Sequence, residues 1–175
     1  MLFNLKTSTM LVLMGSLSIS SFAIPVPVPK ALSRRAFVEQ AYNDFQISDG
    51  VGGNAQAEAN AVFSDNFTGV DLSTVSADDL DAINTMAKAA VDAEDTFDSA
   101  IDAASGAAAD ALNVGKIKNK VLKLSGEVLV LQIKQAQGDS SAASDLATEQ
   151  TKLTKDVAAD VANAGKPSQS IQFDG

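Results

Sequence analysis

The sequence predicts an all-α domain, an antiparallel bundle of about four to five helices, on three observations. Alanine, the strongest helix former, supplies 29 of the 175 residues. Apolar residues recur at three- and four-residue spacing through long stretches, which is the period of one helix face. Short Gly, Ser and Asp clusters separate those stretches, and no alternating strand pattern competes with them. Alanine buries little surface, Trp is absent and a single Tyr is present, so the core should be thin and the helix backbones close. The length suits one domain, expected over residues 36–165, with 166–175 as a flexible tail.

The amino terminus reads as an address. Residues 1–23 have the form of a secretory signal peptide, with Lys6 ahead of an apolar run from Met10 to Ile19. Ser21 and Ala23 then supply small residues at the −3 and −1 positions, which sets cleavage after Ala23. The run is too short and too rich in serine for a comfortable membrane span, so no transmembrane segment is expected in the mature chain. Prolines at every second position in 24–29 enforce an extended segment. It leads to the dibasic pair Arg34 and Arg35, read either as the end of a pro-segment over 24–35 or as a solvated linker. Cleavage after Arg35 would leave nine bases against 22 acids, a charge of −13. At the other end the last residues are polar, without the apolar tail of a lipid-anchor signal.

In the body, a first helix is expected over 35–47, with Phe37, Ala41 and Phe45 on one face, ended by the glycines that follow. A second, Ala-rich helix follows over 55–63. The stretch 64–75 reads as a loop and holds the sequon Asn66-Phe-Thr68, an N-glycosylation acceptor in an exported chain. Ser76 caps the next helix, and Asp79 three residues on resembles a capping box with Asp in place of Glu. Leu80, Ile83, Ala87, Ala90, Phe97 and Ile101 carry that helix to about residue 104. The longest helix is expected over 107–137. Its seam of Ile117, Val121, Leu124, Val128 and Leu131 is flanked by Val114, Leu122, Leu129 and Ile133, which places it centrally. Gly115 and Gly126 cost stability inside it unless close packing needs them. After a turn at 138–141, a final helix carries Ala143, Leu146, Leu153, Val157, Val161 and Ala164, antiparallel to its predecessor.

Composition narrows the chemistry. With no Cys there is no disulfide, thiolate nucleophile or thiolate metal site, and with no His the commonest general base and metal ligand are missing. No catalytic, cofactor-binding or metal-ligating residues are expected, and the chain is not read as an enzyme. The net charge of −9 argues against nucleic acid as a partner. Residues 36–115 hold fifteen acids and one base, Lys88, whereas 116–175 hold seven acids and eight lysines. The favoured reading of that asymmetry is an acidic helix packed beside a lysine-rich one. Asp92, Asp95 and Asp102 share a face but match no calcium-loop spacing, and read as a solvated acidic surface. Residues 50–55 fit a loose G-x-G-x-x-A string without the strand that a dinucleotide site requires, and read as a hinge or corner. Lys116, Lys120 and Lys123 share one helix face, with Lys118 pointing elsewhere. They are a candidate patch for an anionic partner, with pairing to the chain's own acids the favoured alternative.

Three runs carry a resemblance: Tyr42-Asn-Asp-Phe-Gln-Ile-Ser-Asp-Gly-Val-Gly-Gly-Asn-Ala-Gln-Ala-Glu-Ala-Asn-Ala61, Asp78-Asp-Leu-Asp-Ala82 and Val114-Gly-Lys-Ile-Lys-Asn-Lys-Val-Leu-Lys-Leu124. In these the chain resembles a family of small secreted proteins of filamentous fungi. The resemblance implies export, retention at the cell wall or spore surface, and in pathogens a role in virulence at the host interface. It brings no catalytic residues. The expectation that follows is a non-catalytic, glycosylated surface protein whose partner is a cell-wall component or a host protein. The alternatives are a diffusible effector that binds a host protein, and a carrier or coat for apolar ligands.

Overall fold

A computed structural model of the protein describes residues 36–174. Five helices account for most of them: α1 (Tyr42–Phe45), α2 (Ala55–Val62), α3 (Ala77–Ala103), α4 (Ala107–Ala136) and α5 (Ala142–Ala162). The expected antiparallel bundle is present. α3, α4 and α5 run up and down through short connections, and α4 lies between the other two. α4 also meets α2 and the C-terminal segment, so it is the element around which the rest is built. Val121, Leu122, Leu124, Leu129 and Ile133 are accordingly all buried.

The alanines decide how closely α3 approaches. Ala87, Ala90 and Ala93 are buried on its inner face, and Gly126 of α4 lies opposite Ala87 and the Phe63 ring. A Cβ at Gly126 would come within 2.9 Å of Ala87 Cβ, so the glycine allows a helix separation that no other residue would. The aromatic rings sit mostly outside the long helices. Of the described phenylalanines only Phe97 belongs to the three long helices. Phe37 packs on Phe63 and Phe67, with ring centroids 6.4 and 5.8 Å apart, and Tyr42 meets Phe45 and Phe173 edge-on. The aromatic rings thus fix the irregular segments onto a bundle packed from the alanines of α3 and the aliphatic side chains of α4.

Ser76 caps α3 as expected, and the Asp79 carboxylate returns to the Ser76 hydroxyl. Ser76 Oγ accepts from the Asp79 amide at 3.1 Å and donates to Asp79 Oδ2 at 2.7 Å. Asp79 is buried, and its second oxygen accepts from the Phe37 amide at 2.6 Å. That bond helps to explain why the expected helix over 35–47 shrinks to the single turn of α1. The Phe37 amide goes to Asp79, its ring turns toward Phe63 and Phe67, and Ala41 is extended.

Two further expectations are corrected. The segment 166–175, read as a flexible tail, is seated on the bundle through residue 174. Its β2 (Pro167–Ser168) pairs antiparallel with β1 (Gly50–Val51), Ile171 is buried, and the Phe173 amide donates to Asn43 Oδ1 at 3.1 Å. On α5 the stripe turns: Val161 is 58% exposed, whereas Asp160 beside it is 1% exposed.

Tyr42 links three elements. Its hydroxyl donates to Asn119 Oδ1 on α4, and Asn119 Nδ2 donates to the Ala90 carbonyl on α3, both at 2.8 Å. Burial pushes the phenol up to about 12, with nearby Asp49 acting the same way. The unfolded value is about 10, so the neutral phenol favours the fold fully below that pH, and the advantage fades as pH rises through 12. Roughly 2–3 kcal/mol of stability is expected to disappear across that window, because each tenfold change in acidity is worth about 1.4 kcal/mol. Because the chain has one Tyr and no Trp, tyrosinate absorbance reads this group alone. A midpoint near 10 with the helical circular dichroism intact would refute it.

Candidate functional site

The glycine-rich string at 50–55 is a corner, and the chain supplies its own anion there. Asp160 reaches from α5 and accepts from the Gly53 and Ala55 amides, both at 2.9 Å, at the start of α2. A helix N-terminus of this kind attracts a carboxylate or phosphate, and here Asp160 already occupies it. Gly53 has a φ of +107°, and a Cβ on it would strike Ala164. From the other side Lys118 of α4, 1% exposed, donates to the Asp49 and Val51 carbonyls at 2.8 and 3.2 Å. It also pairs with Glu58 at 2.8 Å. Sequence reasoning sends Lys118 to a different face from its neighbours. It holds no signal that the face is buried.

The lysines of the candidate patch separate. Lys116 pairs with Asp98, and Lys123 with Glu94 at 2.6 Å. Both partners are on the acidic α3, so the internal reading of the charge asymmetry holds for these two. Lys120 makes no ion pair among the described residues and faces another neighbourhood. With Lys123 it lines a cleft of about 230 Å³ that also takes Lys152, Lys155 and Asp156 from α5, Glu94 from α3, and Leu124 at its floor. Glu127 lies within the field of these charges. Burial raises its carboxyl, and the nearby Lys123 partly offsets the rise. The α5 lysines escape a sequence reading because nothing in a linear pattern places Lys152 and Lys155 opposite Lys120. Among the described residues no three acids lie close enough to hold a metal ion, Asp92, Asp95 and Asp102 included.

A larger open groove of about 550 Å³ runs along the N-terminal half of α4. Ala111, Val114, Ile117 and Pro167 give it an apolar floor, and Asp110 and Lys166 stand at its rim. Asn66 is exposed, in a short 3-10 turn after α2. Its Nδ2, the atom that would carry a glycan, donates to the Val62 and Phe63 carbonyls at 2.9 and 3.2 Å, capping the end of α2. Ala23, Arg34 and Arg35 lie outside the described residues.

Fold and site together define a small helix bundle whose irregular N- and C-terminal segments are bound to one central helix. The chain belongs to the family described as a domain of unknown function, DUF8454, whose model matches residues 37–172. The match takes in the segment from Pro167 to Ile171, which the structure shows packed on the bundle. No curated protein and no solved structure matches the chain.

Proposed function

We propose that the protein is an exported, non-catalytic fungal surface protein, held in the spore or hyphal wall, where it shapes surface properties and host recognition. One observation carries the non-catalytic part. The three buried charged side chains among the described residues, Asp79, Lys118 and Asp160, all bond to backbone between Phe37 and Ala55. Charges that a catalyst would expose to substrate are here committed to fastening an irregular segment. The N-terminal signal pattern and the resemblance to small secreted fungal proteins support the location. Fractionation of producing cells into medium, wall and interior tests it, with mass spectrometry of the mature N-terminus on the same material. Recovery from the wall with Ala36 as first residue is the expected result. Recovery from the medium alone would overturn the surface reading and leave a diffusible protein.

The groove along α4 favours a second reading, a carrier for ligands with an apolar body. Its volume lies in the range of small-molecule sites, about 300–1,000 Å³, and its floor is apolar with charge only at the rim. Displacement of a fluorescent fatty acid that Val114→Lys abolishes would support the carrier. Failure to bind any apolar probe would remove it.

A further inference from the structure

The geometry points to a binding site for one ring of a neutral sugar, in a cleft of about 200 Å³ where α2, α4 and α5 meet. Helix faces that oppose each other in a bundle ordinarily close through apolar side chains. Here Gln56 and Asn60, one turn apart on α2, share a cleft with Ser125 and Gln132, two turns apart on α4. Ser64 adds a hydroxyl beyond the end of α2, and Leu153 of α5, only half-buried, gives an apolar wall. Gln56 Nε2 donates to Asn60 Oδ1 at 2.7 Å and reaches Ser125 Oγ at 3.4 Å. Among the described residues, the Asn60 NH2, the Gln56 amide oxygen, the Ser64 hydroxyl and both ends of the Gln132 amide have no protein partner. Ser125 carries the argument furthest. It is 8% exposed on the central helix, where a hydroxyl ordinarily returns its proton to the carbonyl one turn back, as Thr148, Thr151 and Thr154 do on α5. Ser125 does not, and its hydroxyl hydrogen has no acceptor among the described residues.

Those unspent groups select the ligand class. No charged side chain lines the cleft, although 20% of the chain is charged, so an ionic ligand would lose its hydration there without a countercharge. What the walls offer is donors and acceptors in mixture, from three amides and two hydroxyls. Adjacent hydroxyls on a sugar ring each donate and accept, and a side-chain amide meets such a pair with its own donor and acceptor side by side. An extended peptide has the same mixture, but it is read along a sheet edge or a long groove, which a cleft of about 200 Å³ does not provide. The volume lies below the range of drug-sized sites and suits a single ring, with the rest of the chain of sugars outside. That this sugar belongs to a wall glycan rests on the surface location proposed above. The site itself does not.

The test is titration of the purified full chain with a β-linked glucose trisaccharide and with an N-acetylglucosamine trisaccharide, read by the side-chain amide signals of Gln56, Asn60 and Gln132. Saturable shifts of these signals with at least one of the two are expected, unchanged by added salt because no ion pair forms. Gln132→Leu should keep its melting temperature, since Gln132 makes no protein hydrogen bond, and should lose roughly threefold to tenfold in affinity. Ser125→Ala, a smaller change, should weaken binding in the same direction. No saturable binding of either sugar, shifts confined to other helices, or unchanged affinity in both variants would each overturn the site. An equal response to a blocked amino-acid amide would overturn the sugar assignment in favour of a peptide. None of these results depends on where the cell keeps the protein, so failure here is separable from failure of the wall fractionation.

Discussion

Truncation of Asp160 to alanine is expected to destabilise the protein by about 3 kcal/mol, one of the two largest losses anticipated for a single side chain. The carboxylate is 1% exposed and receives the Gly53 and Ala55 amides. Its removal leaves two donors without an acceptor at a helix start, each worth about 1–3 kcal/mol when buried. The Gly53 site is only partly buried, so water restores some of that loss and the sum falls toward the middle of the range. Asp160→Asn should cost less, because one amide oxygen can still accept while its NH2 opposes the other donor. Urea denaturation reads both, as a lower midpoint at unchanged slope. The loss should extend to the C-terminal segment, since the Gly52 amide donates to the Lys166 carbonyl and the Gly165 amide to the Gly52 carbonyl, both at 3.0 Å. A change below about 0.5 kcal/mol, typical of a surface site, would mean that the corner is held by something else.

Asp160 also marks where the sequence stops being legible. The three long helices can be read because their apolar spacing, the Ser76 cap and the breaks near Gly106 and Gly138 all agree with the structure. Near the end of α5 the same spacing places Val161 in the core, yet the fold buries Asp160. Periodicity weighs side chains by hydrophobicity, and it cannot register that a loop 105 residues earlier needs a carboxylate for its amides. The C-terminal segment is invisible for a related reason. Its contacts run through single residues such as Ile171 and Phe173 and through backbone pairing, which leave no repeat to detect. The lysine cleft is half legible. Lys120 and Lys123 share a turn of α4, whereas Lys152 and Lys155 join them only through the packing of α5.

Gly115→Ala is expected to destabilise by about 2–4 kcal/mol, although the same change in an open helix would stabilise by about 1 kcal/mol. The reversal of sign is what makes the variant informative. Gly115 sits inside α4 where the C-terminal segment crosses it, and a Cβ there would overlap the Gln169 carbonyl and approach the Phe97 ring at 3.3 Å. The obstacle on one side is backbone, which cannot rotate away as a side-chain end does. Nor can the segment lift cheaply, because the Gln169 amide donates to the Ala111 carbonyl at 3.1 Å and Ile171 is buried just beyond. Relief comes only by peeling the segment off α4, and that takes Phe173 away from Tyr42. The sole tyrosine then reports the event. In Gly115→Ala its phenol should become more exposed and titrate closer to the ordinary value of about 10, while α3 to α5 keep their helical signal. Gly126→Ala is the comparison on another face of α4, where a Cβ would meet the Ala87 Cβ at 2.9 Å, fixed to the α3 backbone, and the buried Phe63 ring at 3.0 Å. It should cost about 1–3 kcal/mol by pushing α3 from α4, without lifting the C-terminal segment from Tyr42. If Gly115→Ala instead raises the melting temperature, the segment is not held against α4 in solution, and residues 166–174 are the flexible tail that their composition suggests.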